Sequence, residues 1–137
     1  RVLLAWSKDP ADAAKAWGMK AFDDGFRISA LEWWGKHAPD EARARALAFL
    51  RKPDSELLRT TALQVLGRVK DVPGSRKVYD ALIAVAKETS YRSRIAAIQS
   101  LGELGEKDAI AVIEPFSQHG PWGVRGAASE ALRKLKG

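Results

Sequence analysis

Residues 94–103 read RIAAIQSLGE, and three other stretches answer to them: RISALEWWGK at 27–36, RTTALQVLGR at 59–68 and RGAASEALRK at 125–134. The shared pattern is Arg-x-x-Ala-[Leu/Ile]-[Gln/Glu]-x-[Leu/Trp]-Gly-x, degraded in the last copy. The copies start 32, 35 and 31 residues apart, a helical-repeat period in which insertions fall in loops. On a helix turning about 100° per residue, with Arg as position zero, positions 3, 4, 7 and 10 share one side. They hold Ala30, Leu31, Trp34 and His37; Ala62, Leu63, Leu66 and Val69; Ala97, Ile98, Leu101 and Leu104; Ala128, Ser129, Leu132 and Leu135. Positions 2, 5 and 9 lie opposite and are mostly small or polar. This is the period of an amphipathic helix, not of a strand. The small Ala at position 3 lets a neighbouring helix come close.

Outward from these stretches lie further helical segments: Asp40 to Lys52, Ser75 to Glu88, Asp108 to Gln118 and, more weakly, Asp12 to Ala21. Pro39-Asp40, Pro53-Asp54, Pro73-Gly74-Ser75 and Gly120-Pro121 punctuate them, as turn and cap chemistry requires, and Lys107-Asp108 offers another N-cap. The unit is helix A, short turn, helix B. The 137 residues form one domain of four units, at about 10–37, 38–70, 73–105 and 107–136. The chain begins at Arg1 and reads as a piece of a longer protein.

Paired helices, a period in the thirties and an Arg opening the second helix before Ala-[Leu/Ile]-x-x-Leu-Gly resemble HEAT repeats. The resemblance implies an all-α fold, a right-handed α-α superhelix of about four helix pairs, and leaves function open because this scaffold serves many tasks. A finer resemblance lies in SYRSRIAAIQSLGELGEKDAIAVIEPF and GPWGVRGAASEALRKL. These segments look like the C-terminal HEAT segments of bacterial zinc aminopeptidases of the aminopeptidase N family. That resemblance implies a catalytic domain upstream, which this module would cap.

Arg27, Arg59, Arg94 and Arg125 fall at the centre of the apolar face. A buried charge costs several kcal/mol unless it is paired and hydrogen-bonded. Acids or carbonyls must therefore lie nearby. Asp23 or Asp24 precedes Arg27, and Asp54 precedes Arg59. The HEAT resemblance implies a structural ladder of such arginines with Asp and turn carbonyls of adjacent repeats. The competing reading is an anion site of stacked arginines.

Composition narrows the chemistry. There is no cysteine, which excludes disulfides, thiol catalysis and thiolate metal sites and fits a reducing compartment. The two histidines, His37 and His119, form no metal motif, and no nucleophile elbow, phosphate loop or dinucleotide fingerprint is present. We therefore expect no catalytic residue, metal or cofactor in this chain. His37 takes the slot of Val69, Leu104 and Leu135 and is expected to pack at a helix end. No apolar run reaches the roughly 18 residues of a membrane span.

The net charge of +6 is concentrated: residues 41–94 hold twelve basic and six acidic groups, whereas 1–40 and 95–137 each balance. Arg43, Arg45, Arg51, Lys52, Arg68, Lys70, Arg76 and Lys77 could attract nucleic acid, anionic lipid or an acidic protein, or simply keep a face solvated. The exposed side of the second helices, the lining of a solenoid's hollow, carries Glu32, Lys36, Gln64, Arg68, Gln99, Glu103, Glu130 and Lys134. Glu32–Lys36 and Glu130–Lys134 are i,i+4 pairs worth about 0.2–0.5 kcal/mol each. Trp33, on the flank of that face, joins Lys36, Gln64, Arg68 and Gln99 as candidate partner contacts. Trp34 belongs to the core, and Trp122 is expected to staple the last turn. The mixed charge favours a non-catalytic protein-interaction scaffold. The alternative is a nucleic-acid-binding solenoid using the central basic region; a HEAT-like glycosylase ranks last because no carboxylate is singled out.

Overall fold

A computed structural model describes residues 24–88 and 90–137. The expected first helix, Asp12 to Ala21, and residues 1–9 lie outside the described residues. Among those described are seven α-helices: α1 (Asp24–His37), α2 (Pro39–Arg51), α3 (Glu56–Val69), α4 (Lys77–Ala86), α5 (Tyr91–Leu104), α6 (Ile110–Gln118) and α7 (Trp122–Lys136), with a 3-10 turn at Lys107–Ala109. Each of the four decapeptides lies in one of α1, α3, α5 and α7, its arginine three residues after the helix start.

The starts and stops have identifiable causes. Ser55 accepts the Leu58 N–H at 3.2 Å and caps α3, as a helix N-cap should. Pro39 opens α2, with Asp40 and Glu41 in its first turn, where fixed φ and negative charge suit a helix N-terminus. The α4 cap residue, Arg76, gives no side-chain bond; Asp71 reaches forward instead and accepts the N–H groups of Val78 at 2.8 Å and Tyr79 at 3.0 Å. Gly105, at φ 82°, ends α5 in the left-handed conformation that glycine adopts without steric cost. The α3 C-terminus is closed from the outer layer: Arg43 donates to the carbonyls of Lys70 at 2.7 Å and Val69 at 3.3 Å. The expected cap at Lys107-Asp108 is absent; that segment winds into the 3-10 turn, and Asp108 pairs with Arg76 at 2.9 Å.

The helices form two rows. In the inner row α1 packs on α3, α3 on α5 and α5 on α7. In the outer row α2 lies against α1 and α3, α4 against α5, and α6 against α7, while α2 and α4 touch each other little. This is an all-α solenoid of HEAT-type helix pairs. Its core runs unbroken between the rows through Leu31, Trp34, Leu58, Leu63, Leu66, Leu82, Ile98, Leu101, Ile113 and Val124, all buried.

The inner row is drawn tight by the glycine at position 8 of the first three decapeptides, Gly35, Gly67 and Gly102. A Cβ placed on Gly67 would stand 2.8 Å from the Ser100 Cβ and 2.9 Å from its Cα, and one on Gly102 would stand 3.0 Å from both atoms of Ala131. Position 8 of one repeat thus meets position 6 of the next. The Ser100 hydroxyl, buried in that seam, donates to the Leu63 carbonyl at 2.6 Å. This corrects two sequence expectations. Position 6 is not a flank of the exposed face: Val65, Ser100 and Ala131 are buried. Position 2 is not exposed either, since Thr61, Ala96 and Ala127 are buried. A single amphipathic stripe describes a helix with one neighbour, whereas α3 and α5 have one on each side and a third behind, and α7 has α5 beside it and α6 behind.

Candidate functional site

The four arginines have four different environments. Arg27 reaches Asp54, with Nη2 to Oδ1 at 2.9 Å and Nη1 to Oδ2 at 3.4 Å. Asp54 therefore serves the arginine of the preceding repeat, not Arg59 as the sequence order implied. Arg59 donates to both Glu88 oxygens, at 2.8 and 2.9 Å, and to the Ser93 hydroxyl at 3.3 Å. Arg94 donates to the carbonyls of Ala86, at 3.1 Å, and Glu88, and its guanidinium lies 5.0 Å from the Phe116 ring. Arg125 breaks the expectation: it is exposed and rests 5.8 Å from the Trp122 ring. Among the described residues no further turn lies over α7 to supply it with acids or carbonyls.

Three other predicted placements are corrected in the same way. Trp122 is 84% exposed and staples nothing. His37 is exposed at the end of α1, its ring 4.8 Å from that of the half-buried Trp33. The pairs expected within one helix are replaced: Lys134 bonds Glu103 of the neighbouring repeat and Glu130 bonds Arg133, while no Glu32–Lys36 ion pair occurs among the described residues.

Ser93 links the ladder to the hollow of the stack. Its hydroxyl accepts from Arg59 and donates to Glu56 at 2.8 Å, and Ser90 donates to the same carboxylate oxygen at 2.9 Å. Hydrogen bonds from Ser93 and then Ser90, with Arg59 and Arg92 nearby, hold the Glu56 carboxyl below its ordinary range.

Glu56 begins a groove along the inner row. Between α3 and α5 lies a cleft of about 480 Å³ lined by Glu56, Leu57, Thr60, Gln64, Arg92, Ile95, Ala96 and Gln99. Gln64 and Gln99 continue it past Arg68, Ser100 and Glu103. Gln99 and Glu103 carry it on to α7, where Gly126, Ala127, Glu130 and Lys134 complete the wall. Of the candidate contacts, the structure brings Gln64, Arg68 and Gln99 together; Lys36 is exposed at the matching register of α1, and Trp33 is set back against His37. Glu56, Leu57, Arg92 and Ile95 were missed. The signal for them was available: extending the stripe of positions 9 and 5 backwards by helical steps gives positions 1 and −2, which are Thr60 and Leu57 on α3, and Ile95 and Arg92 on α5.

Three of the eight central basic residues are engaged elsewhere. Arg43 pairs with Asp40 at 2.8 Å, Arg45 with Glu41 at 2.5 Å and Arg76 with Asp108 at 2.9 Å. Arg45 also lies 5.4 Å from the Trp34 ring and Arg76 4.1 Å from that of Tyr79. Among the described residues no group of three or more His, Cys, Asp or Glu side chains is placed to hold a metal ion. No described helix is long and apolar enough to cross a membrane.

A family model described as HEAT repeats matches residues 79–137. The phycocyanobilin lyase subunit alpha of Nostoc sp. (strain PCC 7120 / SAG 25.82 / UTEX 2576) is 30% identical over 141 residues, an alignment covering 97% of this chain and 49% of that protein. The chain thus spans about half the length of the curated relative it matches. The match to HEAT repeats and the two-row stack agree on a HEAT-type repeat domain, the architecture of protein-interaction and scaffold modules.

Proposed function

We propose that this chain is a non-catalytic scaffold that grips a protein partner in the groove of its inner row. One observation carries the reading: Gln99 lines all three clefts, Gln64 joins the first to the second and Glu103 the second to the third, so that they form one channel across α3, α5 and α7. Its lining alternates amides, cations and acids, which suits the mixed polarity of a polypeptide. A phosphate track would need uninterrupted Lys and Arg. The relative's printed name, a lyase subunit, supports a role beside other chains and also supports a second reading, in which the repeat works as part of an enzyme. The resemblance of 90–135 to aminopeptidase segments gives an intramolecular version, with the groove applied to a catalytic domain of the same protein.

The test is a photo-crosslinking amino acid placed at Gln99, in the groove, and separately at Ala84, on the exposed outer row. We expect a discrete protein adduct from position 99 and none from 84. Equal adducts from both, or none from either, overturn the reading. Titration with fluorescent duplex DNA near 150 mM salt separates the nucleic-acid alternative: saturable, strongly salt-dependent binding favours it, and we expect none.

A further inference from the structure

The inner groove opens at one end onto side chains that ordinary folding does not leave in water together. Leu57 is 59%, Tyr91 48% and Trp122 84% exposed. All three stand in the first turns of inner-row helices: α3, α5 and α7. Ile95 and Gly123 connect them. Leu57, Ile95 and Arg92 line the α3–α5 cleft, and the Tyr91 ring and the Ile95 side chain lie over Gly123, next to Trp122, where a Cβ would collide with the Tyr91 hydroxyl. Arg125 lies beside the Trp122 ring. Among the described residues no ion pair engages Arg92 or Arg125. The carboxylate of this region, Glu56, is taken up by Ser90 and Ser93, and the first turns of α5 and α7 contain no acid.

We propose that this ledge is the anchor of the groove and that its occupant is an acidic segment of a partner protein. Apolar side chains of that segment sit on Leu57, Ile95, Tyr91 and Trp122, and its carboxylates meet Arg92 and Arg125. The inference rests on the interaction-module reading and names the partner's chemistry. Exposed Trp, Tyr and Arg are the residue types that dominate binding energy at interfaces. Each gives a broad contact with a polar edge, and Arg offers a two-pronged match to carboxylates. The cleft beyond receives the rest of the chain, with the Gln64 and Gln99 carboxamides able to donate to and accept from its peptide groups. Charge disfavours a second copy as occupant, because this chain carries +6 and the ledge is itself basic. Shape disfavours a membrane, because the ledge leads into a hollow and not onto a flat face.

A display library of random peptides about 12 residues long, selected on the whole chain, is the probe. Enriched peptides should combine Asp or Glu with Leu, Phe or Trp and bind less tightly as salt rises. Their affinity should fall at least tenfold in Y91A/W122A and in R92E/R125E, each first shown to be folded by far-UV circular dichroism, and also in W122A alone, whose side chain is 84% exposed; it should hold in A84K on the outer row. Enrichment of basic or uncharged peptides overturns the inference. Peptides indifferent to the ledge variants but lost in Q64A/Q99A overturn it while leaving the interaction module standing. A library yielding nothing tighter than about 1 mM overturns both. Two further outcomes also overturn it: a blue shift of tryptophan fluorescence, lost in W122A, on adding phosphatidylglycerol vesicles, and a dimer in sedimentation that W122A disperses.

Discussion

The α3–α5 contact and the free side of α7 are built from the same decapeptide and use it in opposite ways. At α3, Arg59 is held by Glu88 and Ser93 under the next repeat, and Gly67 lets the Ser100 backbone come into contact. At α7, Arg125 lies in water and Arg133 stands at the position Gly67 occupies. The motif does not encode burial by itself. It encodes a surface that becomes buried when another helix is laid on it. The last copy departs from the pattern at two points: Arg133 stands in the glycine position, and Arg125 is exposed.

The sharpest test of this contrast uses two glycines with opposite expected signs. Gly67→Ala forces Ser100 backbone away and should lower stability by about 2 kcal/mol, overpacking outweighing the gain in helix propensity. Gly126→Ala, with nothing within 4 Å of the new methyl, should raise stability by about 0.5–1 kcal/mol. Chemical denaturation of the two variants settles it; a loss at both sites would mean that α7 is as crowded as α3.

A smaller difference is expected between two arginines. Arg59→Met removes the bonds to Glu88 and Ser93 and should cost about 1 kcal/mol, less than a fully buried pair because the Glu88 side chain is 44% exposed. Arg125→Met should stay within about 0.5 kcal/mol. Equal melting temperatures for the two variants would contradict the ladder at Arg59.

The smallest effect is a pH dependence confined to the middle of the stack. The Glu56 carboxyl is lowered in the folded chain, chiefly by Ser93 and Ser90. Its contribution is therefore fully present above the unfolded value of about 4.3 and is lost as pH falls through the lower folded value. Ser93→Ala should lower stability near neutrality, where that contribution is present, and flatten the decline below about pH 4.3 relative to the parent chain. An unchanged acid limb would remove Ser93 as the cause.

The helices were legible because hydrophobic period and punctuation are local properties. Pro39-Asp40 before α2 and Gly120-Pro121 before α7 mark ends that a reader can find without coordinates. Trp34 was assignable to the core because it takes the slot of Leu66. What was not legible depends on neighbours. The angle count put position 6 on an exposed flank, because nothing in one helix says that a second will press on Gly67. It put Arg125 on a buried side for the same reason. Lys134 was assigned to Glu130, four residues away, whereas the winning partner, Glu103, lies one repeat back. The groove was partly readable: Gln64, Arg68 and Gln99 lie in it, while Leu57 and Arg92 precede the decapeptide and fell outside the window that was being compared.

The glycine seam also bears on how the stack can deform. Where main chain meets main chain at Gly67 and Gly102, the inner edge cannot be shortened, and its length is fixed by contacts that have no slack. The outer edge has room, since α2 and α4 barely meet. Bending therefore pivots about the seam, and a load applied to the two ends spreads the outer helices before it parts the inner ones. A guest seated in the hollow would feel a lining of constant spacing, while the back of the stack absorbs the strain.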